Sequence, residues 1–256
     1  MSPSGSAQRL SVAVVGVGEM GRNHARCLAA MKGVDLVAVM DSDVDRCNEV
    51  AATFECRPVT SISDLPHVDA AIVAVPSASH AEVGCALMER GVHCLIEKPL
   101  ALDRTQARLL VDAADSANVV LQVGHIERFN PAVRQLKELL EGELVLVTNA
   151  RRMSAVSGRV TDIDVVMDLM VHDLDIMLFL MGDGIDSIEA RAVTGPSGPD
   201  HVTALLSFQD GRLASLTASR ITQNQIRQLE VTTRDRFFTV DYPNQELLIF
   251  RQGRIG

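Results

Sequence analysis

Two stretches of this chain carry residues able to take a proton and to hold a developing negative charge. Lys98 follows Glu97, precedes Pro99, and comes at the end of the apolar run His93-Cys-Leu-Ile96. The proline biases Lys98 toward extended backbone. An ammonium at such a strand tip can hydrogen-bond a substrate hydroxyl and stabilise the charge that grows on its oxygen during hydride transfer. A surface lysine paired with Glu97 is the alternative that spacing leaves open. The second stretch is Asp164-Val-Val-Met-Asp168-Leu-Met-Val-His172-Asp-Leu-Asp175. Asp164, Asp168 and His172 recur every four residues, with Asp175 three further on, which puts them on one face of an otherwise apolar helix. Charges on such a helix are expensive unless they line a cleft or pair with each other. Asp168 can hold one ring nitrogen of His172 and leave the other as a general base. A solvated polar face with an ordinary Asp168–His172 pair fits the same spacing.

Arg151, Arg152 and Arg159 fall close together with Ser154 and Ser157, in a chain that is acidic elsewhere. Guanidinium forks and hydroxyls suit a diphosphate or carboxylate, and a scattered solvent-facing set is the competing view. Gly124-His125-Ile-Glu127-Arg128-Phe-Asn130-Pro131 brings a further His and Arg to a strand end. These residues reach a cofactor or substrate, or they cap and link.

The elements that would position these groups begin with the strand Val12–Val15 and the glycines Gly16, Gly18 and Gly21 in G-x-G-x-x-G spacing. Gly16 allows the tight turn, Gly18 lets a pyrophosphate approach bare backbone, and Gly21 lets the following helix pack close. Asp41 ends the strand Leu36–Met40, about 20 residues past Gly21, where this motif places a carboxylate for ribose hydroxyls. Ser42 follows it and no arginine does so directly, which favours NAD over NADP, with Arg46 one helical turn on. Apolar strands then alternate with helices: Ala70–Val75, Ala81–Arg90, His93–Ile96, Thr105–Ala117, Val119–Val123. That alternation predicts a doubly wound parallel sheet over residues 1–125, with ligands beyond the carboxyl ends of its strands. The expected cofactor contacts are Gly16, Gly18, Glu19, Met20, Gly21, Asp41, Ser42, Pro76, Ser77, His80, Glu97, Lys98, His125 and Arg128. Residues 126–256 change rhythm. A helix (Pro131–Leu140), a strand (Leu144–Arg151) and a long helix (Val165–Met181) precede six short strand runs, predicting an α+β domain with a largely antiparallel open sheet.

Composition narrows the function classes. The net charge of −9, 3% aromatic residues and no Trp argue against nucleic acid as a partner. Five cysteines form no C-x-x-C and do not pair with His at zinc spacing; reduced thiols in a cytoplasmic chain, and no metal, are expected. Met-Ser-Pro-Ser-Gly-Ser-Ala-Gln-Arg at the start lacks an apolar leader core and reads as a frayed tail. The most apolar window, Val165–Met181, holds Asp168, His172, Asp173 and Asp175 and is no membrane span.

With these motifs assembled, the chain resembles the Gfo/Idh/MocA oxidoreductase family over roughly residues 10–250. The matching residues are Gly16-x-Gly18-x-x-Gly21, Asp41, Pro76 with His80, Glu97-Lys98-Pro99 and Asp168-x-x-x-His172-x-x-Asp175. The resemblance implies a Rossmann domain followed by an α/β domain whose open sheet often builds homodimers or homotetramers. It implies NAD(P)-dependent oxidation or reduction of a sugar or polyol hydroxyl, with Lys98 and His172 in catalytic positions and Asp168 beside them. Within the family, Gly-His125-Ile-Glu-Arg128-Phe-Asn130-Pro and Asp168-Leu-Met-Val-His172-Asp look most like members that oxidise the 3-hydroxyl of UDP-N-acetylglucosamine. Lys98, Arg151, Arg152, Arg159, Asp168 and His172 would then contact the UDP-sugar, the arginines at its diphosphate. A family member acting on inositol or glucose, and a non-catalytic NAD-binding protein, are the rival readings. Met170 stands where many members carry Gly. The chain also ends at Gly256, short of most relatives, so closing strands of the second sheet are expected beyond it.

Overall fold

The computed structural model describes residues 9–155, 163–195 and 198–251. The tail reading and Arg159 with Ser157 therefore lie outside the described residues. The chain divides into two compact units, residues 1–124 and 125–256.

The first unit alternates strand and helix: β1 (Leu10–Val15), α1 (Glu19–Ala30), β2 (Val34–Met40), α2 (Val44–Phe54), β3 (Arg57–Val59), β4 (Ala70–Val73), α3 (His80–Met88), β5 (His93–Ile96), α4 (Arg104–Ala117) and β6 (Leu121–Val123). All strand pairs are parallel, in the order β3-β2-β1-β4-β5-β6. The direction of strand addition reverses between β1 and β4, and that reversal opens a crevice beyond the strand ends. Both faces carry buried apolar side chains. Val12, Val14 and Val39 pack under Ala25, Leu28 and Val50 on one side, and Ala13, Val15 and Val73 under Leu87, Met88 and Leu110 on the other. Burial on both faces is why the strands read as unbroken apolar runs. The Asp43 and Asp103 carboxylates cap α2 and α4 by accepting the N–H of Arg46 and Gln106. No strand pattern in the sequence marks β3, a three-residue edge strand with Pro58 at its centre, a position a proline tolerates only at an edge.

The second unit holds α5 (Pro131–Leu139), β7 (Val147–Met153), α6 (Val171–Met181), β8 (Ile185–Gly195), β9 (Gly198–Phe208), β10 (Leu213–Ser219), β11 (Ile226–Thr232), β12 (Arg236–Asp241) and β13 (Glu246–Arg251). Its sheet runs β13-β12-β11-β7-β10-β9-β8 and is antiparallel except for β7 beside β10. Helices α5 and α6 cover one face, with Leu136, Ile176 and Met177 buried over Ala150, Leu216, Leu229 and Phe238. Each fully buried Leu, Ile or Met contributes roughly 1.5–3 kcal/mol. The opposite face is open. Across it the register sets Phe250, Phe237, Thr232, Val147 and Leu213 side by side, and the four apolar members of that row are exposed.

Candidate active site

In the first unit the β1–α1 loop has the geometry its glycines require. Gly16 sits at φ +87°, and a Cβ there would lie 2.6 Å from the backbone of Ala74 and Val75, so the loops after β1 and β4 touch. A Cβ on Gly21 would overlap the Gly16 carbonyl, whereas nothing lies within 4 Å of where one on Gly18 would point. No side chain caps α1 at Gly18, so the N–H groups of its first turn and the open space over Gly18 fit a diphosphate. Glu19 and Met20 are exposed beside that opening, as are Ser42 and Pro76 past the tips of β2 and β4, with Ser77 partly so.

Asp41 is held more firmly than its spacing suggests. Its carboxylate accepts Val17 N–H (2.8 Å), Asp43 N–H (3.0 Å), Arg46 Nε (3.2 Å) and Arg46 Nη2 (2.7 Å). Burial raises its pKa, but Arg46 and the two amides outweigh that and hold it below the usual carboxylate range. The cation one turn on is thus clamped to the carboxylate that the motif places for ribose hydroxyls, with the Arg46 side chain itself 39% exposed.

At the tip of β5, Glu97 is 7% exposed. Its Oε1 lies 2.6 Å from His24 Nε2 and its Oε2 accepts the Lys98 N–H at 3.3 Å. His24, one turn past Gly21, carries no spacing that marks it for this contact. Lys98 itself is partly exposed. His80, expected at the cofactor, is 1% exposed. Its ring nitrogens face Pro99 O (2.8 Å) and Val75 O (3.0 Å). That corrects the expectation: the imidazole fastens the turn after β4 to the turn after β5 and has no surface left for a ligand.

In the second unit, Asp164 caps the long helix, accepting the N–H groups of Val166 and Met167 at 3.0 Å each. The helix opens with a π turn, Val166–Met170, and continues as α6. Asp168 lies in the π turn and His172 in the first turn of α6, both partly exposed. The π turn breaks the 3.6-residue period on which the one-face reading rested, and such turns recur at functional sites. Asp175 binds Arg128 through two bonds (2.6 and 2.8 Å), and His125 Nε2 lies 3.6 Å from it. The Arg128 guanidinium, expected at the cofactor, is here paired with a carboxylate of its own unit.

The proposed arginine site comes apart in the same way. Arg151 and Arg152 are neighbours on β7 and so face opposite sides of the sheet. Arg151 is on the open face beside Gln228 and Glu230. Arg152 is 3% exposed and gives two bonds to Asp173 (2.9 and 3.0 Å) and one to Glu127 (3.0 Å). Burial opposes its charge, but Asp173 and Glu127 outweigh that and raise its pKa. Neither arginine is available to a diphosphate alongside the other.

Two family models match the chain: "Oxidoreductase family, NAD-binding Rossmann fold" over residues 10–125 and "GFO/IDH/MocA C-terminal domain" over residues 148–236. A UDP-N-acetylglucosamine 3-dehydrogenase of Acidithiobacillus ferrooxidans is 38% identical over 94% of this chain and 76% of that protein. The chain belongs to the Gfo/Idh/MocA oxidoreductase family. The solved structure of the Acidithiobacillus enzyme matches with a TM-score of 0.90, covering 95% of this chain and 80% of that one. An inositol 2-dehydrogenase of Rhodococcus jostii is 32% identical over 79% of this chain and 60% of that protein. GenD2 from gentamicin A biosynthesis, solved with NAD, is 27% identical, with a TM-score of 0.84 over 94% of this chain and 75% of that one. The first unit of this family member is an NAD-binding Rossmann unit, and the chain is an oxidoreductase. Among the described residues no group of His, Cys, Asp and Glu could hold a metal ion. No described helix is long and apolar enough to cross a membrane. All five cysteines are free, and burial pushes the Cys94 thiol up to about 12.

Proposed function

We propose that this family member oxidises the 3-hydroxyl of UDP-N-acetylglucosamine to the 3-keto sugar, with NAD accepting the hydride. The observation that carries this is the 38% identity to a dehydrogenase of that name over 94% of the chain. NAD is held by Gly16, Gly18, Glu19, Met20 and Gly21 at the diphosphate and by Asp41 and Ser42 at the ribose. Pro76, Ser77 and Glu97-Lys98 lie toward the nicotinamide. His172 takes the hydroxyl proton as general base, with Asp168 orienting its ring. Lys98 donates to the same oxygen, so the charge that grows there as the C–H hydride departs meets a fixed cation. The proton ends on His172, and bound NAD would supply the acceptor for the hydride.

The test is NADH formation across UDP-sugars, inositol and glucose, with NAD and NADP. UDP-N-acetylglucosamine with NAD should give the highest kcat/KM. A higher value with inositol, the substrate that the Rhodococcus relative's name prints, would move the assignment. Absorbance at the NADH band that stays flat with every substrate would leave a cofactor-binding protein.

The open sheet face is assigned to a second copy of the chain in a cytoplasmic homo-oligomer. What supports this is its exposed apolar row Phe250, Phe237, Val147 and Leu213, which is unusual on the surface of a monomer. Sedimentation velocity should show a dimer or tetramer, and Phe237→Lys should shift it toward monomer. A monomer at all concentrations in the unaltered chain refutes the assignment.

A further inference from the structure

The acceptor positions of Asp41 are all taken. An ionised carboxylate offers about four of them, two on each oxygen. Oδ1 receives Asp43 N–H (3.0 Å) and Arg46 Nη2 (2.7 Å), and Oδ2 receives Val17 N–H (2.8 Å) and Arg46 Nε (3.2 Å). Both side chains are charged at neutral pH. Burial pushes the Asp41 carboxyl up, but Arg46 and the two amides outweigh it, and Asp41 in turn raises Arg46. The four donors differ in freedom. The amides belong to the backbone after β1 and after β2, so the fold fixes them. The guanidinium is on a long side chain from the first turn of α2, with 39% of its surface exposed against 7% for Asp41. A ribose diol that uses Asp41 therefore has the two positions under the guanidinium fork. Neighbouring charges sharpen the effect. Arg46 Nη1 also lies 3.3 Å from the Asp43 carboxylate, while Arg22 is engaged with Glu49 through two bonds of 2.8 Å. Arg46 is thus set against two carboxylates.

We infer that Arg46 is a specificity-determining residue that competes with the adenosine ribose for Asp41, and so narrows the preference for NAD over NADP that the carboxylate alone would impose. This rests on the reading that Asp41 faces that ribose. NAD presents two hydroxyls that donate to a carboxylate. NADP presents a 2′-phosphate, which a bare carboxylate repels and a guanidinium binds. With Arg46 in the fork, the diol must displace two charge-assisted bonds, whereas the phosphate meets a cation in place of an open anion. The arginine weakens one cofactor and favours the other. It touches no reacting atom.

The experiment measures Kd for NADH and NADPH by nicotinamide fluorescence, on the full chain without sugar. The buffer holds about 0.15 M salt, so exposed charges more than about 8 Å away are screened. Arg46→Ala should tighten NADH several-fold and weaken NADPH, raising the ratio of the two Kd values about tenfold, the worth of one charged hydrogen bond. Asp41→Asn with Arg46 in place should move the ratio about tenfold toward NADPH. Adding Arg46→Ala to that variant should abolish the gain, because the effects of two contacting residues are coupled. An arginine that merely fastens α2 would shift both Kd values together and lower the melting temperature. An unmoved ratio in Arg46→Ala therefore overturns the inference, as does NADH that binds no tighter without Arg46. If Asp41→Asn disturbs the loop through Val17 and binds neither cofactor, Arg46→Ala decides alone by those two criteria. Comparing the double variant with Arg46→Ala isolates the carboxylate. Equal NADH affinity in the two takes the ribose away from Asp41 and overturns both readings. Weaker NADH in the double variant, with an unmoved ratio in Arg46→Ala, overturns only the part given to the arginine.

Discussion

His172→Ala should lower kcat for the sugar substrate by about 10²–10⁴-fold while leaving NAD affinity within a few-fold of the unaltered chain. That range is what a positioned general base supplies. His172 is in the first turn of α6, within the second unit, and the NAD-binding loops belong to the first, so cofactor affinity is the internal control. Lys98→Ala should show a similar loss in kcat, because removing one fixed donor to a developing oxyanion costs about 10²–10³-fold. Lys98→Arg should recover little, since a planar fork does not replace a compact ammonium. Steady-state rates with calorimetric Kd for NAD separate the outcomes. Near-normal turnover in both alanine variants would remove both residues from the chemistry. A common loss of NAD binding would recast them as cofactor or folding residues.

Arg152→Met should destabilise the chain by about 3–5 kcal/mol, the range for removing one partner of a buried ion pair. Asp173 would then be left 3% exposed with no guanidinium against it. The melting temperature should fall by on the order of 10 °C. Asp173→Leu in the same chain should return much of the loss, because a pair replaced by apolar side chains of similar volume is often neutral. Were Arg152 instead a diphosphate ligand, its substitution would raise the KM for the sugar nucleotide and spare the melting temperature. Denaturant titration read alongside KM discriminates the two. The pair also bears on activity, since Asp173 follows His172 on α6, and a helix anchored to β7 through Arg152 holds its first turn in place.

How legible the protein was in its sequence depended on the range of the interaction in question. The parallel sheet, its order-reversing crevice and the β1–α1 loop follow from local rules: apolar runs of strand length, helical periodicity between them, and glycines where a side chain would collide with Ala74 or with the Gly16 carbonyl. The helix with His172 was legible too, because charge on an apolar helix stands out. The arginine cluster misled, since β7 runs past Arg151 to Met153 and its period of two sends Arg151 and Arg152 to opposite faces. His80 misled because a histidine after a strand tip looks the same in sequence whether it faces a ligand or two carbonyls. His24 and Glu97 lie 73 residues apart, and no spacing rule joins them.

The sequence by itself determined which elements form and where the backbone must lack side chains, because those depend on neighbours a few residues away. Only the tertiary structure decided which charges meet. Asp173 with Arg152 and Asp175 with Arg128 became partners because a buried charge must find its counter-charge in space, and Glu97 meets His24 in the same way, 73 residues apart along the chain.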